Sequence, residues 1–80
     1  MGSVTIIVRA VWDAEAQVWV AESHDLRGLI LEAPTHEELL RKLEVAIPDL
    51  IAESGFATAG LPEIPVYLMS EALTKVRVAV

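Results

Sequence analysis

The chain has 80 residues, no cysteine and a formal net charge of −6. That length holds one domain, 1–80. The missing thiols exclude disulfides and thiolate zinc sites, and the acidic balance repels DNA or RNA while attracting a basic protein.

Apolar residues make up 54% of the chain with glycine left out, which is rich against average composition. A domain this small buries only about 60% of the surface its unfolded chain exposes. The surplus apolar surface therefore predicts a homodimer. No run approaches the roughly 18 apolar residues of a membrane helix, and the N-terminus lacks a signal-peptide core. A cytoplasmic protein without a membrane partner is expected. Met1-Gly2-Ser3 reads as a disordered or tag-derived start and carries no weight.

Val4 to Trp12 alternates Val4, Ile6, Val8, Ala10 and Trp12 against Thr5, Ile7, Arg9 and Val11, a strand with one face in the core and the other partly covered. Asp13 to Ala16 suits a four-residue hairpin connection. Gln17 to Ser23 is the second strand and His24 to Gly28 a turn, in which Gly28 supplies a positive φ. Leu29 to Glu32 is a short third strand.

Thr35 caps a helix, with Glu38 completing a capping box. Glu37 and Glu38 lie at the positive end of the helix dipole, each four residues before a base, Arg41 and Lys42. Leu39, Leu40, Leu43, Ala46, Ile47, Leu50 and Ile51 form an apolar stripe. Pro48 removes a backbone donor and is expected to kink the helix or divide it after Ala46 or Ile47, and Gly55 is the C-cap. Ala57 to Pro65 is a loop and Val66 to Glu71 a strand. Val76, Val78 and Val80 alternate with Arg77 and Ala79, so the C-terminus is one long strand, a bulged strand, or two strands hinged near Leu73-Thr74-Lys75.

The order is β-β-β-α-β, an α+β fold. Three strands form an antiparallel meander, and the fourth returns parallel to the first by a right-handed crossover, giving spatial order 3-2-1-4. One face is covered by the single Pro-kinked helix, and the other is left for solvent or association.

No catalytic constellation emerges. Ser23 and His24 are adjacent and point to opposite faces, and His36 reads as a solvated residue. Neither histidine has the ligand spacing of a zinc site. A two-metal nuclease needs clustered acids; here they are dispersed and the first strand has none. Trp12 and Trp19 flank the hairpin loop among acids, which suits packing across the hairpin better than base stacking. Glycine is too sparse for a phosphate loop. The residues predict no enzyme, no metal and no cofactor.

The runs Trp12-Asp13-x-Glu15-x-x-Val18-Trp19-Val20-Ala21, Ser23-x-Asp25-Leu26-x-Gly28-Leu29, Thr35-x-Glu37-Glu38-Leu39-Leu40-x-Lys42-Leu43 and Ile47-Pro48-x-Leu50 resemble the small HicB-like proteins, above all their short single-domain branch of unassigned function. The similarity covers about residues 4 to 55 well and the last strand loosely. It implies a degraded ribonuclease-H-like fold without its active acids. It also implies an antitoxin role, in which such a domain masks HicA, a small basic ribonuclease. Arg27 stands where the family often has proline, and no helix-turn-helix or ribbon-helix-helix segment follows, so direct DNA binding is not carried over. The partner-binding residues expected on this reading are Glu22, Asp25 and Arg27 around the turn, with Glu37 and Glu38 at the helix start. Their role is charge complementarity. The alternative is a stand-alone structural or small-ligand-binding homodimer.

Overall fold

The computed structural model describes residues 4–79; the expected start at Met1 to Ser3 and the last valine lie outside them. Four strands and one helix follow in the order β1 (Ile6–Asp13), β2 (Val18–Glu22), β3 (Ile30–Ala33), α1 (His36–Ser54) and β4 (Val66–Glu71). The sheet order is β3-β2-β1-β4, with β1 antiparallel to β2, β2 antiparallel to β3 and β4 parallel to β1.

Side-chain chemistry at the strand ends sets their limits. The Asp13 carboxylate accepts from the amides of Glu15 and Ala16, and the Gln17 amide donates to the Asp13 carbonyl. Gln17 itself sits at φ 58°, so the hairpin connection runs one residue later than expected and β2 opens at Val18. At the other end of β2, Ser23 leaves the ladder and directs its hydroxyl to the Ile7 carbonyl. The third strand is shifted one residue toward the helix, to Ile30–Ala33.

The next turn is built on Leu26-Arg27-Gly28-Leu29. The Leu29 amide donates to the Leu26 carbonyl at 3.3 Å and Gly28 holds φ +90°, the geometry of a type II turn, whose third residue needs a positive φ. Both flanking leucines are buried in the core. The turn is therefore a plug for the sheet as well as a reversal.

Helix α1 begins as its sequence dictates. The Thr35 hydroxyl accepts from the Glu38 amide at 3.1 Å, and Gly55 ends the helix at φ 71° with its amide on the Ile51 carbonyl. The helix is continuous through Pro48, so the expected division after Ala46 or Ile47 does not occur. Proline brings no N–H to the Glu44 carbonyl, and that carbonyl is on an exposed residue open to water. Leu39, Leu43 and Ile47, all on the N-terminal side of the proline, bury that part of the helix on the sheet.

Even-numbered residues of β1 (Ile6, Val8, Ala10) meet Ala21, Ala33 and the buried helix side chains in one core. Each fully buried Ile, Val or Leu side chain there contributes about 1.5–3 kcal/mol of burial, and each alanine less. The odd-numbered residues of β1 face away from the helix. After Glu71 the chain continues through 72–79 with no regular structure, so the C-terminus carries a single short strand and an unpaired segment beyond it.

Candidate interaction surface

The face of the sheet away from α1 is laid out by strand register. Ile7, Arg9 and Val11 of β1 stand beside Tyr67, Met69 and Glu71 of β4 on one side. Val20 and Glu22 of β2, then Ile30 of β3, continue the same face on the other. Ile7, Val11, Ile30, Tyr67 and Met69 are all exposed. At the centre, Arg9 Nη2 meets Glu71 Oε1 at 2.6 Å. Both side chains are more than half exposed, so the pair contributes at most about 1 kcal/mol and works as a polar island in an apolar field. A shallow concavity there is lined by Arg9, Val11, Val20, Glu22, His24 and Glu71.

The structure divides the five expected partner-binding residues. Glu22 lies on the open face, and Arg27 is exposed in the turn next to it, the two lining a second hollow with His24 and Ile30. Asp25 is occupied structurally: its Oδ2 accepts from the Ile7 amide at 2.8 Å. Glu37 and Glu38 sit on α1, behind the sheet and toward the Trp19 end of β2. There Glu37 pairs with Arg41 at 3.1 Å. These residues do not make one continuous acidic surface.

Two expectations about helix charges change. Lys42 does not pair with Glu38; its Nζ donates to the Glu32 carbonyl on the outer strand β3 at 2.6 Å. His36 is not merely solvated. Its ring lies 4.2 Å from that of Trp19, and its Nε2 is 2.6 Å from the Ser70 hydroxyl. The helix start is thereby tied to both β2 and β4. Trp12 and Trp19 pack across the hairpin with centroids 5.2 Å apart, as their flanking positions predict.

On the helix side an apolar groove of about 540 Å³ opens between α1 and the start of β4, lined by Leu40, Leu43, Ile47, Ile51, Leu61 and Val66 among others. Among the described residues no three His, Asp or Glu side chains come together as metal ligands, and no helix is long and apolar enough to cross a membrane.

The family model for DUF1902, described as a domain of unknown function, matches residues 5–80. The chain belongs to the DUF1902 family. Its fold is similar to that of the hypothetical protein TTHA1013 from the extremely thermophilic bacterium Thermus thermophilus, with 50% sequence identity and a TM-score of 0.68 over 92% of this chain and 99% of that one. No curated protein matches.

Sequence reasoning missed Arg9 and Glu71 as a pair, although the lone charge in the first strand was a signal. A parallel fourth strand in register brings an acid near its end diagonally to that arginine. No comparable signal existed for the contacts of His36, which depend on where α1 lands on the sheet.

Proposed function

We propose that this DUF1902 chain is a non-enzymatic protein-interaction module of the HicB-like antitoxin kind, which masks a small basic HicA-type ribonuclease. The observation that carries the reading is the uncovered sheet face, where Ile7, Val11, Ile30, Tyr67 and Met69 are 43%, 53%, 71%, 62% and 51% exposed around the Arg9–Glu71 pair. Interfaces combine apolar contact area with polar groups, and this face carries both, an apolar field around a central ion pair with Glu22 and Arg27 at its margin. The acidic chain as a whole would speed encounter with a basic toxin. The reading requires no cofactor, no nucleic acid and no membrane, and places the protein in the cytoplasm.

The test is co-expression with a small basic ribonuclease encoded beside it, followed by co-purification and an RNA cleavage assay. Complex formation with loss of cleavage is expected. Met69→Asp with Glu22→Lys should weaken binding at least tenfold, while Glu37→Lys, behind the sheet, should leave it within about twofold. Equal binding by all three proteins, or no complex with any such ribonuclease, would refute the reading.

A second reading, a stand-alone homodimer, is favoured by a different observation. Leu73, Val76 and Val78, beyond the end of β4, are 87%, 78% and 76% exposed. Val76 and Val78, alternating with Lys75, Arg77 and Ala79 along an unpaired segment, have the pattern of a strand without a sheet.

A further inference from the structure

We infer that residues 72–79 are a strand exchanged between two copies of this chain, each pairing antiparallel with the outer edge of β4 of the other across a two-fold axis at Ala72 or Leu73. The inference rests on the homodimer reading and names its interface.

Three properties of the molecule converge on it. First, β4 is an outer strand, paired with β1 on one side only. Its other side presents unmatched N–H and C=O groups, the usual template for adding a strand. Second, 72–79 continues the alternation of β4. Val76 and Val78 share parity with Val66 and Leu68, which pair with the buried Ile6 and Val8. Lys75 and Arg77 share parity with Tyr67, Met69 and Glu71 on the open face. The segment has the two-faced character of a strand in this sheet.

Third, the segment has no partner among the described residues of its own chain. Among the described residues no hydrogen bond reaches it. The chain measures 58 × 27 × 19 Å with a radius of gyration of 15.4 Å, against about 12 Å for a compact domain of this length. Folding back onto its own β4 would need a reversal immediately after Glu71. From Ala72 onward the sequence ALTKVRVAV contains no Gly, Pro, Asn or Asp, the residues that make tight reversals. An extended continuation can reach only another molecule.

Symmetry then limits the register. A two-fold axis normal to the sheet keeps each face on its own side, and directly opposed antiparallel residues share a face. Opposed residue numbers must therefore sum to an even value. An axis on Glu71 would set two carboxylates against each other, which is unfavourable. An axis on Ala72 places Val78 opposite Val66, Val76 opposite Leu68 and Arg77 opposite Tyr67. An axis on Leu73 places Val78 opposite Leu68 and Lys75 opposite Glu71. The Ala72 arrangement matches apolar with apolar on the helix side and brings Val78 to the groove that Val66 lines with Leu40 and Ile47, whereas the Leu73 arrangement keeps the Val78–Leu68 match and sets Val76 opposite Ser70.

Charge agrees. The exchanged segment carries Lys75 and Arg77 and no acid, whereas all 12 acids and only the other four of the 6 bases lie before it. A basic strand meets an acidic body.

Light scattering on the eluted full chain at micromolar concentration should give twice the 8.7 kDa chain mass, and Val76→Asp with Val78→Asp should return it to the monomer mass while a cooperative thermal unfolding transition is retained. In this cysteine-free chain, Ala72→Cys or Leu73→Cys should form a disulfide-linked dimer on mild oxidation, since opposed strand residues lie about 4.5–5.5 Å apart, within disulfide range. Ala52→Cys on exposed α1 should not. A monomeric native chain overturns the exchange and the homodimer together. A dimer that survives both aspartates and crosslinks at neither position overturns the exchange alone.

Discussion

Asp25 completes the hydrogen bonding of Ile7, a residue it is separated from by 18 positions, by accepting from its amide at 2.8 Å. Ser23 donates to the Ile7 carbonyl at 2.7 Å and receives the Asp25 amide at 3.1 Å. Two side chains thus replace the main-chain partners that β2 would have supplied had it run further. This lets β2 end and the Leu26–Leu29 plug begin without orphaning the edge of β1.

Asp25→Ala should therefore destabilise the fold by about 1.5–3 kcal/mol, the cost of losing a bond to a carboxylate acceptor. For a domain of this size that lowers the melting temperature by about 4–8 °C per kcal/mol. Ser23→Ala should cost about 1 kcal/mol. Thermal and urea unfolding followed by circular dichroism would check both, and an Asp25→Ala melting temperature within about 1 °C of native, roughly the noise of such scans, would remove the structural role given to this carboxylate.

The Leu26–Leu29 turn gives two substitutions of opposite sign. Gly28→Ala places a Cβ at φ +90° and should cost about 1–2 kcal/mol. The added methyl would meet Leu50 at an ordinary 3.7 Å, so the penalty is conformational and not steric. Arg27→Pro occupies the second turn position, where proline's fixed φ is favoured. It should stabilise by about 0.4–1 kcal/mol through the unfolded chain. Equilibrium unfolding of the pair of variants reads both signs.

The same turn shows how far local chemistry carries. Gly28, Thr35 and Gly55 each announce a backbone need that sequence alone states, and the strand order follows once the helix must cross over. The periodicity of Val4 to Trp12 places Ile6, Val8 and Ala10 in the core correctly. What it cannot state is a side chain substituting for a strand, because Ser23 and Asp25 read equally well as turn formers or as exposed polar groups. Lys42 had two acceptors within reach, Glu38 one helical turn away and the Glu32 carbonyl across the layer, and the choice depends on where α1 rests. His36 meets Ser70 across 34 positions, a distance at which no periodicity speaks. The candidate interaction surface was the least legible part: charge located acids, while register, which decides their neighbours, gathered apolar side chains around Arg9.

Pro48 offers a third measurement. It lies in the interior of α1 and is exposed. Pro48→Ala should restore the amide that the Glu44 carbonyl lacks and stabilise the protein by about 1–3 kcal/mol. A rise in the urea midpoint with an unchanged slope is the expected result. A fall would mean that the ring's packing along the groove outweighs the missing bond.

Lys42 governs the other margin of the sheet. By holding the Glu32 carbonyl it occupies an acceptor on β3 that another molecule would otherwise use. Lys42→Met should leave the fold intact and raise light scattering at millimolar concentration, as expected when a charged guard is taken from an exposed strand. Scattering equal to that of the native chain would show that the lysine contributes nothing to this protection.

A β-layer with one blocked flank and one receptive flank differs in kind from one open on both. Ladders that recruit at both ends propagate into fibres, whereas a self-complementary join uses up the receptive flank on each participant. With β3 stoppered by a lysine, the exchange proposed at β4 would end growth after a single union, and a sticky, valine-rich segment would carry no penalty of polymerisation.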